Sequence, residues 1–319
     1  MSLIILGRTT SYLSAAAAAL FAACVVAACS SAPPSLTAAQ QPLGKETLAL
    51  LARKGMDAQA PIFIRIFKEE SELEVWKARD DGRFYHFKTY PICNWSGGLG
   101  PKLQQGDKQA PEGFYTIAKG QLNPNSQFHV AFNLGYPNAY DRSWGRTGDF
   151  IMVHGKCKSA GCYAMTDALI EEIYALAREA MAGGQESFQI HAYPFKMTEA
   201  KLAQHKSSQW HGFWHVLKQG YDHFEATRVP PNVAVCERKY VVNVKMPSTP
   251  LDPGGRCPVF ERPEVPHFVP LTGKQQTAEE HVVVPGQKTR TLASIASETD
   301  ALPAMSRAPA GAFALGYSQ

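Results

Sequence analysis

Phe150-Ile151-Met152-Val153-His154-Gly155-Lys156-Cys157-Lys158-Ser159-Ala160-Gly161-Cys162-Tyr163-Ala164-Met165-Thr166 holds the pieces from which fold and chemistry can both be argued. The apolar run predicts a strand ending at His154. A short loop of small and polar residues follows, then Gly161-Cys162, and then a helix that Thr166 or Asp167 can cap. Leu169, Ile173, Leu176 and Ala177 recur at helical spacing, and Gly183-Gly184 stops the helix. A thiol attacks a carbonyl as thiolate, and a neighbouring imidazole is the usual means of forming one. A loop containing Gly155 and Gly161 is short enough to fold back and bring His154 to Cys162. Gly161 removes side-chain bulk beside the sulfur, so a carbonyl could approach backbone N–H groups placed as an oxyanion hole. The coming helix N-terminus favours a thiolate modestly.

Each residue also has a plainer reading. A cysteine is commonly a small buried hydrophobe or half of a disulfide, and Cys157 could pair with Cys162. A histidine ending a strand is commonly a hydrogen-bonded structural residue.

Outward from this segment, strand signals dominate. Pro61-Ile62-Phe63-Ile64-Arg65-Ile66-Phe67 is strongly strand-like, and Glu72-Leu73-Glu74-Val75-Trp76-Lys77-Ala78 alternates as a half-buried strand does. Phe84–Tyr90, Phe114–Ile117, Phe128–Phe132 and Phe150–His154 add more. Ser96-Gly97-Gly98-Leu99-Gly100-Pro101 reads as a loop. A second helical stretch is expected within Thr198–Gln219. Many short strands with few helices predict a β-rich α+β fold.

The chain has 319 residues, 45% hydrophobic and 19% charged, enough for one or two domains with buried cores. The formal net charge is +4, and no basic run interleaved with aromatics tracks a nucleic-acid backbone, so nucleic acid is not an expected partner. At the N-terminus, Arg8 precedes an apolar, alanine-rich stretch that ends at Cys29-Ser30-Ser31-Ala32-Pro33-Pro34. Residues 1–28 read as a secretory signal, with an uncleaved membrane anchor as the alternative. Val26-Ala27-Ala28-Cys29 resembles a bacterial lipobox, in which Cys29 is lipidated, and Phe21-Ala22-Ala23-Cys24 is a poorer match to the same signal. Ser30 after the cysteine favours the outer membrane, giving a periplasmic location with a lipid anchor. Of the seven cysteines, Cys24 would be lost with the signal and Cys29 acylated. Cys93, Cys157, Cys162, Cys236 and Cys257 remain in an oxidising compartment, and an odd set leaves at least one that stays free or pairs with another molecule. The other four allow three pairings, among which Cys236 with Cys257 would be a local bridge. Residues 29–46 read as a tether and 47–240 as the folded domain. Residues 241–319 read as a Pro/Ala/Ser-rich extension, largely disordered from about 273.

His154-Gly155 and Ser159-Ala160-Gly161-Cys162, with Ser96-Gly97 and Ala110-Pro111-Glu112-Gly113-Phe114-Tyr115, resemble the YkuD-type L,D-transpeptidase catalytic domain. Its YafK-like branch is resembled more closely still. The carriers are Ile64–Glu70, Ser96–Lys102, Gly120–Ser126, Asn138–Arg142 and Cys162-Tyr163-Ala164-Met165-Thr166-Asp167, spanning about 47–240. The resemblance implies a YkuD-type mixed β-sheet sandwich. It also implies that Cys162 attacks the meso-diaminopimelate carbonyl of a peptidoglycan peptide stem, with His154 as base. The Gly155 carbonyl would orient the imidazole, and N–H groups at Gly161 and Cys162 would hold the oxyanion. The thioester would then pass to an amine (transpeptidation) or to water. The YafK-like branch is associated with hydrolysis that releases the peptidoglycan-linked outer-membrane lipoprotein. No metal or diffusible cofactor is implied. Substrate contacts are expected from Ser96, Lys102, Tyr140, Arg142, Arg146 and Ser159. Two departures from the wider family stand out: its second histidine is Ala160 here, and a basic position after the cysteine is Ala164. Both put the acceptor side in question.

Two rivals remain. His211-Gly212-Phe213-Trp214-His215 sets histidines four apart on a helix face, but the adjacent glutamate of the zinc-protease motif is missing, and Trp210, Phe213, Trp214 and Leu217 suggest a packing helix. A non-catalytic wall-binding lipoprotein is the other.

Overall fold

The computed structural model describes residues 36–269; the expected signal 1–28, Cys29 and the tail from about 273 lie outside them. The strands are β1 (Ile62–Phe67), β2 (Glu72–Ala78), β3 (Phe84–Pro91), β4 (Asn94–Trp95), β5 (Gly113–Ala118), β6 (Leu122–Asn123), β7 (Ala131–Asn133), β8 (Met152–His154), β9 (Tyr163–Ala164), β10 (Ser187–Tyr193), β11 (Val233–Cys236) and β12 (Lys239–Val242). The helices are α1 (Lys45–Arg53), α2 (Ala139–Ser143), α3 (Asp167–Ala182), α4 (Glu199–Gln204) and α5 (His211–Thr227). One sheet runs β3-β2-β1-β10-β5 and a second β4-β9-β8-β7-β6, while β11 and β12 form a separate hairpin. Within the two large sheets only β1–β10 and β8–β9 pair in parallel, so the fold is a β-rich α+β with mixed sheets.

β1 is buried along its whole length, as a strand apolar at every position but Arg65 requires at the centre of a sheet. β2 departs from the half-buried expectation: Glu74 and Lys77 are buried too. The two have different covers: Lys77, on one face, donates to the carbonyls of Ala58 and Ala60 at 3.0 and 2.7 Å, while α5 covers the opposite face, which carries Glu74. Phe224 of α5 packs on Phe63 at 4.6 Å and on Trp76 at 5.0 Å. Beneath it the Arg65 Nε donates to Glu74 at 2.9 Å and its Nη1 bonds Glu225 at 2.5 Å, while the Trp76 indole donates to the same Glu74 oxygen. Buried charges are tolerated because they are paired and hydrogen-bonded.

α3 joins the sheets. Thr166 caps it, its Oγ1 accepting from Leu169 N at 3.4 Å, and it ends at Gly183. Its buried face of Leu169, Ile170, Ile173, Leu176 and Ala177 packs on β1 of one sheet and on β7 and β8 of the other. A fully buried Leu or Ile contributes about 1.5–3 kcal/mol, so this stripe fixes where the next-door strands sit. Ile173→Ala, which opens a cavity at a fully buried position, would cost about 2–5 kcal/mol.

Two expected strands are shorter than the sequence suggests. His129 has φ +76° and Phe150 φ +52°, both left-handed, so β7 begins only at Ala131 and β8 only at Met152. The helical stretch expected near Thr198–Gln219 resolves into α4, capped by the Thr198 hydroxyl, and the longer α5.

Ordered packing also runs past the expected tether and extension. Ala39 and Leu43 are buried, and Arg178 of α3 donates to the carbonyls of Ala39 and Gln41 at 2.6 and 3.0 Å. After β12 the chain forms a strap: a Cys236–Cys257 disulfide, Lys245 N donating to Glu261 O at 2.8 Å, and Phe268 N to Ala226 O at 2.6 Å. Pro/Ser/Ala composition marks both segments as irregular without showing that their backbone is used. Among the described residues no helix is long and apolar enough to cross a membrane.

Candidate active site

The parallel pairing of β8 with β9 assembles the centre. Val153 faces Tyr163 and His154 faces Ala164, so continuing by one residue sets Cys162 opposite Met152. Side chains alternate along a strand, which puts Met152, His154, Cys162 and Ala164 on one face, with His154 and Cys162 as diagonal neighbours. Cys162 is the free cysteine among the described residues. Cys157, five positions earlier in the same loop, is bonded to Cys93, which disposes of a Cys157–Cys162 bridge. The Cys162 Sγ accepts the Met152 N–H at 3.3 Å, and its thiol points at the Phe150 carbonyl at 3.7 Å.

His154 Nδ1 lies 2.6 Å from the carbonyl of Gly155. A carbonyl only accepts, so the ring proton of the neutral imidazole sits on Nδ1 and Nε2 is left bare. Gly155 is required here for space as well: a Cβ would lie 2.5 Å from Asp167 Oδ1, 3.0 Å from His129 Cβ and 3.1 Å from the Phe128 carbonyl. The imidazole is 3% exposed, and burial pushes its pKa below the ordinary value. Burial likewise pushes the Cys162 thiol up, with the Met152 N–H and the charge of Lys102 pulling the other way. Both shifts favour a neutral thiol beside a neutral imidazole at rest.

The loop after His154 is held from several sides. Met165 N donates to His154 O at 2.7 Å, Gly155 N to Phe128 O at 3.0 Å, Lys156 N to Asp167 Oδ1 at 2.8 Å, and Cys157 N to Met165 O at 3.2 Å. Lys156 and Cys157 have φ +66° and +50°, left-handed conformations that cost roughly 1–2 kcal/mol each in non-glycine residues. The disulfide to Cys93, between β3 and β4, ties this turn to the start of the second sheet.

The other expected site residues divide. Ser159 accepts from Gly161 N at 3.2 Å, donates to Cys162 O at 2.7 Å and meets Ser96 Oγ at 3.2 Å, so it shapes the nucleophile loop. Gly161 keeps a glycine-only φ of +124°, but its N–H is engaged by Ser159. Lys102 is 3% exposed and ion-paired with Asp107, close enough for its charge to reach Cys162. Arg146 turns inward to the buried Asp141 at 2.8 Å, which also takes the Tyr115 hydroxyl at 3.2 Å. Tyr140 stacks on Tyr240 at 4.3 Å and Phe213 at 5.5 Å. Arg142 is exposed and donates to the Pro137 carbonyl. Tyr140 and Arg146 thus belong to a buried network under α2.

Cys93, Asp167 and Phe128 were not legible as site residues. Of the two expected caps, Thr166 caps the helix and Asp167 holds the His154 loop. Below the Ser96–Ala110 loop, fully buried Lys68 donates to Gly100 O, Ala110 O and Glu112, each at 3.0 Å, and Trp214 donates to Glu112 at 2.8 Å. His211 and His215 stack edge-on at 4.5 Å, while Trp214 and Leu217 fill the core. No group of three or more His, Cys, Asp or Glu among the described residues could hold a metal ion.

Residues 62–186 match the L,D-transpeptidase catalytic domain known as YkuD. The chain is 47% identical over 184 residues to the protein named "Putative L,D-transpeptidase YafK" of Escherichia coli K12, covering 58% of this chain and 74% of that protein. The same identity and coverage hold for its O157:H7 counterpart. Among solved structures, the helical cell shape determining protein Pgp2 of Campylobacter jejuni overlaps with TM-score 0.34 at 17% identity, over 59% of this chain and 79% of that one. The sequence matches show that the chain belongs to the YkuD L,D-transpeptidase catalytic domain family.

Proposed function

We propose that the protein is a cysteine enzyme of peptidoglycan peptide stems, acting through an acyl-thioester on Cys162. One observation carries the reading: the Gly155 carbonyl fixes the His154 proton on Nδ1, leaving Nε2 bare on the strand face that presents the free thiol. In the first step Nε2 takes the thiol proton as Sγ attacks the meso-diaminopimelate carbonyl. A C–S bond forms and the charge moves to the carbonyl oxygen. With the Gly161 N–H engaged by Ser159, the Cys162 N–H is the donor assigned to that oxyanion. Collapse breaks the C–N bond, and His154 returns the proton to the departing amine. In the second step an amine or water attacks the thioester, His154 takes its proton, and the thiol is restored.

Water is favoured as the second partner by Ala160 and Ala164, one exposed and one fully buried, which offer no polar group for an acceptor stem. The reading extends to release of a lysine-linked lipoprotein from the stem. Two disulfides support an oxidising compartment, the periplasm, with Cys29 as the lipid-bearing residue. The test is incubation with muropeptides carrying a lysine-linked peptide, followed by mass spectrometry of products. Free tripeptide stems signify hydrolysis and new dimers signify transpeptidation. Unchanged muropeptides, with tight binding to peptidoglycan, would replace the enzyme by a wall-binding protein.

A further inference from the structure

We infer that Phe128 is a positioning residue for the base, covering the His154 imidazole with its ring and holding the Gly155 peptide through its carbonyl. The inference rests on the reading of His154 as the base of Cys162. The two ring centroids lie 4.7 Å apart with the planes tilted by 44°. His154 is 3% exposed while Phe128, beside it, is 42% exposed, so one face of the phenyl ring shields the imidazole and the other meets solvent. The backbone repeats the contact, since Phe128 O accepts the Gly155 N–H at 3.0 Å and Gly155 O in turn accepts from His154 Nδ1. Phe128 therefore touches the base from above and, through Gly155, from its anchored side.

The segment that carries Phe128 gives up strand geometry to do so. Ser126 Oγ accepts the Phe128 N–H at 3.0 Å, and His129 turns left-handed, so the ring leaves the alternating in-and-out pattern of the sheet. Two side chains pin the turn: His129 Nε2 meets Glu171 at 2.5 Å, and Lys156 Nζ donates to Gln127 O at 2.6 Å. A non-glycine residue in the left-handed region persists only where its surroundings over-determine it. A merely structural phenylalanine in this segment would be expected to turn into the core, as Phe132 does.

The cover acts on the base by keeping water from it. The charged and titratable groups on the elements around His154 are Cys162, Lys156, Asp167, the His129–Glu171 pair and Lys102. Burial is the main cause of its lowered proton affinity, opposed by the Gly155 hydrogen bond. An aromatic face attracts an imidazolium by about 0.5–1 kcal/mol where exposed, which works against the cover. A leucine separates the two effects, because it shields without a π face.

The experiment is the pH profile of kcat/KM for Phe128→Ala and Phe128→Leu, with a histidine NMR titration of Cys162→Ser with and without Phe128→Ala. For Phe128→Ala we expect kcat/KM to fall about tenfold through kcat. The acid limb and the His154 titration should move up toward the ordinary imidazole value of about 6.5. Phe128→Leu should restore most of both. An unmoved acid limb and unmoved titration in folded Phe128→Ala would overturn the inference, as would a rise in KM alone. His154→Ala and Cys162→Ala are the controls: if either retains turnover, the underlying reading has failed. If both are inactive and Phe128→Ala keeps the wild-type profile, only the role of Phe128 has failed.

Discussion

Two disulfides close two very different segments. Cys93–Cys157 anchors the loop that joins His154 to Cys162 to the start of β4, whereas Cys236–Cys257 joins the β11–β12 hairpin to the strap that follows. Their sequence separations are 64 and 21, for which loop-closure entropy gives about 4 and about 3 kcal/mol of stabilisation. The energies are nearly equal, and the consequences differ because of what each bridge holds. One fixes a left-handed turn beside the imidazole proposed as the base, and the other holds irregular chain against a finished domain. A covalent tie becomes functional through the geometry it constrains.

The largest effect should come from the sulfur that neither bridge uses. Cys162→Ala should lower stem turnover by at least about 10³-fold while leaving thermal unfolding nearly unchanged, measured by muropeptide assay and calorimetry. Residual turnover within tenfold of wild type would remove the basis for treating the first loop as special. Next, the two bridges can be cut separately. Cys93→Ser with Cys157→Ser should reduce kcat/KM about 10–100-fold, since misplacement of a base by about 1 Å costs that much. Cys236→Ser with Cys257→Ser should change kcat/KM by less than about twofold and lower the unfolding midpoint instead. Equal losses of activity from the two pairs would erase the distinction.

Gly155→Ala sharpens the same contrast without touching a disulfide. Its Cβ meets Asp167 and the Phe128 carbonyl, so the loop must shift, and we expect about a tenfold loss of kcat/KM with a smaller loss of stability. The mildest test is pH. Burial raises the Cys162 thiol and lowers the His154 imidazole, both of which disfavour a resting thiolate–imidazolium pair. Alkylation of Cys162 by iodoacetamide should therefore climb toward alkaline pH. A plateau of fast alkylation below neutral pH would show a resting ion pair.

Much of the centre was legible in the sequence because its chemistry is local. A strand delivering His154, a glycine-bearing loop and a capped helix are short-range patterns, and the odd cysteine set required one cysteine without a partner in the chain, which is Cys162 among the described residues. What stayed hidden depends on distant residues. Cys93 reaches Cys157 across 64 positions, a pairing that cysteine counting leaves open. Phe128 and Phe150 looked like strand residues because apolar alternation says nothing about the left-handed turns at His129 and Phe150. Arg146 and Tyr140 looked available to a substrate, yet Asp141, Tyr240 and Phe213 claim them. The polar face of β2 looked wet until α5 covered it.

The central claim is that the carbonyl of the stem is carried on Cys162 as a thioester held ready by His154. Intact-protein mass spectrometry after rapid acid quench of the enzyme with a tetrapeptide muropeptide tests it most directly. The account predicts a mass gain equal to the muropeptide less its fourth residue released as the free amino acid, mapped to Cys162, absent in Cys162→Ala and strongly reduced in His154→Ala. Product formation by Cys162→Ala, or an acyl group mapped to another residue, would contradict it.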